Sequence, residues 1–214
     1  MEVFSNTGGI AMTNAFLLVD DNTKEGVIFD APDGTVGTLI DEAEKHGWKI
    51  TGLWLTHGHF DHFADHSVVR SRCPEAKILV HELELPKVAR PDVQLNMFGV
   101  RMKIDPLKPD GFVTDGQTLR LGALEVQVMH TPGHACGHVC YYFPSEAVIV
   151  GGDLIIGGSV GRTDLPDSNN QQMEASLRKV MALPPKTKLL PGHGDASTLE
   201  EERQSNFFLR DFLA

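Results

Sequence analysis

His57, His59, Asp61 and His62 fall within six consecutive positions of Leu55-Thr56-His57-Gly58-His59-Phe60-Asp61-His62. Imidazole and carboxylate are ligands for Zn²⁺ and equally for iron or manganese. One ion seldom takes four ligands from six consecutive residues, because the backbone cannot wrap it. His57 and His59, two positions apart, point the same way in extended backbone, and Asp61 and His62 then turn toward a neighbouring position. The cluster therefore reads as two adjacent metal sites. The competing explanation is a solvated histidine-rich loop, or histidines paired with carboxylates. Three isolated residues argue against it: His134 in His130-Thr131-Pro132-Gly133-His134, Asp153 at the end of the apolar run Val148-Ile149-Val150-Gly151-Gly152, and His193 in Pro191-Gly192-His193-Gly194. Taken singly, each of the three is more often a hydrogen-bonded residue than a ligand. Together the set holds five histidines and two aspartates, the complement expected for two adjacent ions. His138 is expected to support the site or the fold rather than to ligate. Asp30 is either a partner that holds a ligand histidine or a turn residue.

The elements that must position these residues can be read around them. Gly52 to Thr56 is an uncharged apolar run that suits a buried strand, and Phe63 to Arg72 can form a helix. The cluster thus sits on a strand-to-helix loop, where functional side chains commonly lie. Upstream, Asn14 to Asp20 and Gly26 to Asp30 read as a hairpin. Asp33 looks like the N-cap of a helix carrying Val36, Leu39, Ile40 and Ala43 and ending near Gly47. Ala76 to Val80 is a strand, followed by a short helix from Glu82. Pro86 to Pro109 reads as a long irregular loop, either a lid or a surface excursion that only packs. Thr118 to Met129 reads as two strands joined at Gly122-Ala123. Gly137 to Phe143 and Ala147 to Gly152 form a second hairpin that ends at Asp153. Ser168 with Gln171 forms a capping box for a helix burying Met173, Leu177, Val180 and Met181. Lys188 to Leu190 is a strand that runs into His193. A last helix from Thr198, with Glu201 three residues on, is expected to bury Phe208, Leu209 and Phe212.

Each half therefore reads hairpin, helix, strand, then a His-Gly loop. The expectation is an α/β (α+β) chain forming one domain over residues 1–214, with pseudo-symmetric halves at about 1–117 and 118–214. In it two β-rich halves pack face to face, with helices outside and the loops of both at one edge.

Bulk properties narrow the partners. The chain has 214 residues, 41% hydrophobic and 22% charged, as in ordinary globular proteins. A net charge of −10 argues against nucleic-acid and anionic-lipid partners, which call for a basic face. No apolar run approaches the ~18 residues needed to span a bilayer. The opening residues carry no signal-peptide pattern. Three scattered cysteines, Cys73, Cys136 and Cys140, suit a reducing cytoplasm, and the thiols are expected to be small buried side chains rather than ligands. Oligomeric state is not legible.

Thr56-His57-Gly58-His59-Phe60-Asp61-His62 matches the His-x-His-x-Asp-His motif of the metallo-β-lactamase fold, and His134, Asp153 and His193 match that family's later ligands in order. The resemblance covers nearly the whole chain. Thr131-Pro132-Gly133-His134, Gly161-Arg162-Thr163-Asp164-Leu165-Pro166 and Pro191-Gly192-His193-Gly194 resemble the glyoxalase II-like branch, the hydroxyacylglutathione hydrolases. The resemblance implies a four-layer αββα sandwich. It implies two divalent ions, zinc first with iron or manganese as alternatives. His57, His59 and His134 would hold one ion, Asp61, His62 and His193 the other, with Asp153 bridging. The nucleophile would be a metal-bridging hydroxide at a centre of net charge roughly +2, with Asp61 orienting the water or carrying its proton. The implied substrate is a small thioester, S-lactoylglutathione in the family's case. Arg162 could receive an anionic substrate group, or pair with Asp164 and shape its loop. The larger members add a C-terminal helical region that binds glutathione, which the stretch after His193 is too short to supply. The rivals are a mononuclear-iron persulfide dioxygenase on the same scaffold, a nuclease of this fold, disfavoured by the acidic charge, and a non-catalytic metal-binding module.

Overall fold

The computed structural model describes residues 1–209. In the first part of the chain, β1 (Glu2–Gly8), β2 (Thr13–Val19), β3 (Glu25–Phe29), β4 (Lys49–Trp54), β5 (Lys77–His81) and β6 (Gly111–Val113) form one six-stranded sheet in that spatial order. β1 to β3 are antiparallel neighbours, and β3 to β6 run parallel. The parallel pairs need crossovers. These are α1 (Val36–His46), α2 (His66–Arg72), and the pair α3 (Leu85–Ala89) and α4 (Pro91–Phe98). All seven residues of β2 are buried, as its near-continuous apolar run requires. Alternate residues Ala15, Leu17 and Val19 join Ile28, Leu53, Ile78 and Val80 in a core that the apolar stripe of α1 completes.

In the second part, β7 (Thr118–Leu121), β8 (Leu124–His130), β9 (Val139–Phe143), β10 (Val148–Gly152), β13 (Lys188–Pro191) and β14 (Ser197–Thr198) form another six-stranded sheet, ordered β14-β13-β10-β9-β8-β7. A small ribbon pairs β11 (Ile155–Ile156) with β12 (Ser159–Val160). α5 (Asn170–Met181) crosses between the parallel strands β10 and β13, and α6 (Leu199–Ser205) follows β14. Met173, Leu177, Val180 and Met181 of α5 pack with Ile149, Leu154, Ile155 and Leu189. Among the described residues the chain clusters into two compact units, residues 1–113 with 120–124, and residues 114–119 with the stretch from 125 onward. The fold class is mixed α/β, as read from the sequence. Among the described residues no helix is long and apolar enough to cross a membrane.

Several local expectations change. β1 has no counterpart in the sequence pattern, since its burial is only partial along its length. The 86–109 segment is not irregular throughout: Pro86 and Pro91 occupy the first turns of α3 and α4. Proline is tolerated there because those N–H groups have no intrahelical partner. The N-terminus of α1 is not capped by Asp33. Its Thr35 N–H donates to Asp65, thirty residues on, at 3.0 Å. α5 is capped by Asn169, whose side chain accepts from Gln172 N–H at 3.0 Å, one residue past the Ser168-Gln171 frame. α6 has the capping box Thr198/Glu201 as expected. α6 ends at Ser205, Leu209 is buried, and Phe208 is 47% exposed instead of buried. Phe212 lies outside the described residues.

Residues 120–124 are held by Asp20, at the end of β2. Its carboxylate accepts from Ala123 N–H at 2.7 Å, Thr23 Oγ1 at 2.9 Å and Asn22 N–H at 3.0 Å. The Ala123 N–H is the main reason the Asp20 carboxyl lies below the usual carboxylate range, against the opposing pull of desolvation. A pKa depressed by folding stabilises the native state above the unfolded value of ~3.9 and loses that contribution as pH falls through the folded value. Asp20→Ala is therefore expected to lower the unfolding free energy by about 2 kcal/mol at neutral pH, with the deficit shrinking below pH ~4. Urea unfolding at pH 7 and at pH 3.5 checks this, and equal deficits at both would contradict it.

Candidate metal centre

Most of the candidate residues lie where parallel strands end, while His134 follows the antiparallel strand β8. Asp30 follows β3, the His57–His62 loop follows β4, Asp153 follows β10, and His193 follows β13. Open α/β sheets use this carboxyl edge for ligands. Each compact unit carries its own set of ligand candidates.

In the first unit, Asp30 sits in left-handed backbone (φ 58°) and is buried. Its Oδ1 accepts from Thr56 N–H at 2.8 Å, and its Oδ2 accepts from Thr56 Oγ1 and from His62 Nδ1, both at 2.8 Å. Carboxylate oxygens only accept, so His62 Nδ1 carries a proton, and in the neutral ring Nε2 presents a lone pair. Thr56 has spent its hydroxyl proton on Asp30. It can therefore only accept from His57 Nδ1, 3.0 Å away, which leaves His57 Nε2 unprotonated as well. One carboxylate thus fixes the ring state of two histidines, the arrangement that ligand histidines use. His57 Nε2 lies 3.0 Å from His59 Nδ1. His57 and His59, His57 and His62, and Asp61 and His62 each offer ligand atoms within 4.8 Å of one another. His62 Nε2 stands 3.5 Å from Asp61 Oδ2, which Thr13 Oγ1 holds by donating at 2.7 Å.

In the second unit, His134 Nδ1 faces the carbonyl of Arg162 at 2.9 Å and must donate to it, so its Nε2 is the unprotonated nitrogen. That nitrogen lies 3.5 Å from Asp153 Oδ2, and His193 Nε2 lies 3.2 Å from the same oxygen. Ser168 Oγ donates to the His134 carbonyl at 2.7 Å, and Asn169 N–H to the Gly133 carbonyl at 2.7 Å, so the start of α5 grips the turn that carries His134. Gly161 admits no side chain: a Cβ there would meet the Asp153 carbonyl and the His134 ring. Gly192 N–H donates to the Gly152 carbonyl at 2.7 Å, which seats the His193 turn beside Asp153. His138 is fully buried. Its Nε2 accepts from Asp153 N–H at 3.0 Å and its Nδ1 faces Thr131 Oγ1 at 2.9 Å, so it supports the backbone of Asp153, as expected of it.

The donor chemistry fits bound cations. With neutral rings, His62 against Asp61, and His134 against Asp153, each set a nitrogen lone pair toward a carboxylate oxygen, an arrangement that calls for a positive charge between them, either a ring proton or a bound ion.

The structure brings His57, His59, Asp61 and His62 together in one unit and His134, Asp153 and His193 together in the other. The Arg162 guanidinium pairs with Asp164 at 2.6 and 2.7 Å on an exposed surface, and its visible tie to the site is through its carbonyl. That pairing holds the Arg162 pKa above and the Asp164 pKa below their ordinary values. Burial pushes the Cys140 thiol up to about 12, so it stays a neutral packing group. Thr13 and Thr56 are supporting residues that the sequence does not single out, and Ser168 is read there only as a helix cap. For Thr56 the only signal is its place directly before the first histidine.

A family model described as the metallo-beta-lactamase superfamily matches residues 8–193. Hydroxyacylglutathione hydrolase GloC of Haemophilus influenzae is 31% identical over 200 residues, which are 90% of this chain and 91% of that one. Among solved structures, the crystal structure of BLEG-1 B3 metallo-beta-lactamase aligns with a TM-score of 0.89 at 32% identity, covering 97% of this chain and 99% of that chain. The crystal structure of TTHA1623 in a di-iron-bound form aligns with a TM-score of 0.84 at 32% identity, covering 95% and 98%.

Proposed function

This chain belongs to the metallo-β-lactamase superfamily and is a metallo-hydrolase of it, and from that premise we propose that it uses two divalent ions to hydrolyse a small thioester of the S-acylglutathione class. On this reading His57, His59 and His134 would hold one ion and Asp61, His62 and His193 the other, with Asp153 as the further carboxylate of the set. The observation that carries this reading is the repeated facing of imidazole nitrogen and carboxylate: His62 with Asp61 at 3.5 Å, His134 and His193 with Asp153 at 3.5 and 3.2 Å. The di-iron form of TTHA1623 supports two ions, and the name and near-equal length of GloC support the thioester. GloC also removes an objection, since a hydroxyacylglutathione hydrolase by name spans about the length of this chain without a long extension.

When bound, such ions supply Lewis acidity and bring the pKa of a coordinated water toward ~7. The residues of the chain do the rest. Asp30 and Thr56 keep His57 and His62 in the ligating ring state, and the Arg162 carbonyl does so for His134. Thr13 fixes one oxygen of Asp61. A thiol has a pKa of ~8.5 and departs as thiolate with little need of a proton, so a thioester suits a site whose acids are committed to ligation.

The test is a substrate panel on metal-replete and chelated protein: S-lactoylglutathione and other acylglutathiones, a β-lactam, and glutathione persulfide with oxygen uptake. Hydrolysis of an acylglutathione that vanishes on chelation and returns with metal is the expected result. Protein carrying two equivalents of metal and inert toward every acylglutathione would refute it. Persulfide-dependent oxygen uptake with one iron per chain would transfer the assignment to the dioxygenase.

A further inference from the structure

The segment between β5 and β6 does more than cross over. Leu55 N–H makes the last ladder bond of its strand, to the Leu79 carbonyl at 2.9 Å. Beyond it the backbone of Gly58 and Phe60 is buried past the end of the ladder, and orphaned buried peptide groups are costly. Two side chains take the place of a strand. Glu84, fully buried, accepts from Gly58 N–H at 2.7 Å and is neutralised by Lys87 Nζ, also at 2.7 Å. Gln94, 5% exposed, accepts from Phe60 N–H at 3.1 Å through Oε1 and donates to the Gly58 carbonyl at 2.9 Å through Nε2. The amide orientation is forced, because a peptide N–H can only donate and a carbonyl can only accept. The two groups Gln94 engages flank His59, so its amide brackets that residue as a paired strand would and holds it extended at φ −70°, ψ 144°.

That extended backbone decides where the His59 ring points. Gly58 lets the clamp close, since a Cβ there would stand 2.8 Å from Glu84 Oε2 and 3.1 Å from Val88 Cγ1. Phe98, four residues after Gln94 on α4, packs on Phe60 with ring centroids 5.8 Å apart, which fixes the loop on its other side. We propose that Gln94, with Glu84, is a positioning residue for the metal site of His57 and His59. The crossover 82–98 is a clamp that sets the affinity of that site, whereas Asp61 is held by Thr13 and His62 by Asp30, which also reaches His57 through Thr56. This rests on the two-ion assignment above.

The test is titration of Zn²⁺ against a chromophoric chelator, on wild type, Gln94→Met and Gln94→Glu. The methionine keeps the length of the side chain but neither hydrogen bond, and the glutamate keeps the acceptor for Phe60 while losing the donor to Gly58. Loss of a partner that orients ligands costs 10- to 100-fold in metal affinity. The expected result is one of two Zn²⁺ equivalents weakened about tenfold in Gln94→Met, the other unchanged, and an intermediate shift in Gln94→Glu. A general loss of stability would weaken both equivalents alike, and that outcome would overturn the clamp. So would wild-type affinities at both sites in Gln94→Met, which would leave the two-ion reading intact. If Gln94→Met does not fold, the site-selective shift in Gln94→Glu decides. Wild-type protein that takes up no Zn²⁺ would remove the two-ion reading itself, and the clamp with it.

Discussion

Asp30→Asn is expected to bind divalent metal about 100-fold more weakly than the wild-type chain, the upper end of what loss of a partner behind metal ligands costs. The reason is the direction of two protons. Asp30 Oδ2 accepts from both Thr56 Oγ1 and His62 Nδ1. In an asparagine of the same shape, the oxygen is drawn to the Thr56 N–H that Oδ1 serves now, at 2.8 Å. The amide NH₂ then faces Thr56 Oγ1 and His62 Nδ1. His62 can accept from it only by moving its proton to Nε2, where it blocks ligation. Thr56, turned from donor into acceptor at this position, passes its own proton to His57 Nδ1, and His57 too must be protonated on Nε2. A single isosteric change therefore puts two histidines, five positions apart, into the wrong ring state, the way an Asp-to-Asn change spoils an oriented catalytic histidine. Chelator competition measures the affinity, and long-range ¹H–¹⁵N spectra of the metal-free protein report which ring nitrogen carries hydrogen. Weaker binding with unchanged tautomers would refute the proton argument.

The same network shows what sequence can and cannot convey. Several ligand candidates are legible because they stand at the end of a short apolar run, as Asp153 follows Val148 to Gly152, and His134 because glycine and proline precede it. Asp30 stays undecided between turn residue and histidine partner on sequence alone. The answer depends on its reaching Thr56 and His62, 26 and 32 residues away, a contact created by the parallel pairing of β3 with β4. The cap of α5 falls one residue from its expected place because two frames, Ser168 to Gln171 and Asn169 to Gln172, fit the same local rule. What separates them is the His134 carbonyl, which engages the Ser168 hydroxyl. Asp33 loses the N-terminus of α1 to Asp65 for the same kind of reason: a remote carboxylate reaches the Thr35 N–H. Pro86 and Pro91 suggest irregular chain, although proline also opens helices, and the choice turns on the buried anchors Val88, Gln94 and Leu95 that tie α3 and α4 down. In each case the local pattern is sound, and a contact distant in sequence selects among its readings.

The proposal of two ions faces its hardest test at Asp61. On the assignment above, Asp61 supplies the only anionic group that belongs to one ion alone, beside the imidazoles of His62 and His193. Asp61→Ala removes a negative charge from the neighbourhood of two dications, whose mutual repulsion then falls to the remaining ligands to offset. The ion of that site is expected to be lost, leaving about one equivalent per chain by elemental analysis. The transition-state stabilisation that goes with it, several kcal/mol, corresponds to a fall in kcat on S-lactoylglutathione of roughly 10² to 10⁴. Asp61→Asn separates charge from packing. An asparagine oxygen can still accept from Thr13 Oγ1, as Oδ2 does at 2.7 Å, so the loop geometry survives while the charge does not. If charge is what holds the second ion, the two variants lose metal and turnover together. If the asparagine variant keeps two equivalents while the alanine variant does not, packing by the Thr13 contact outweighs charge. A chain that retains two ions and near-wild-type turnover in both variants has no ligand at Asp61. A chain that holds one iron throughout, and consumes oxygen with a persulfide whichever residue stands at position 61, uses the mononuclear chemistry of the rival assignment.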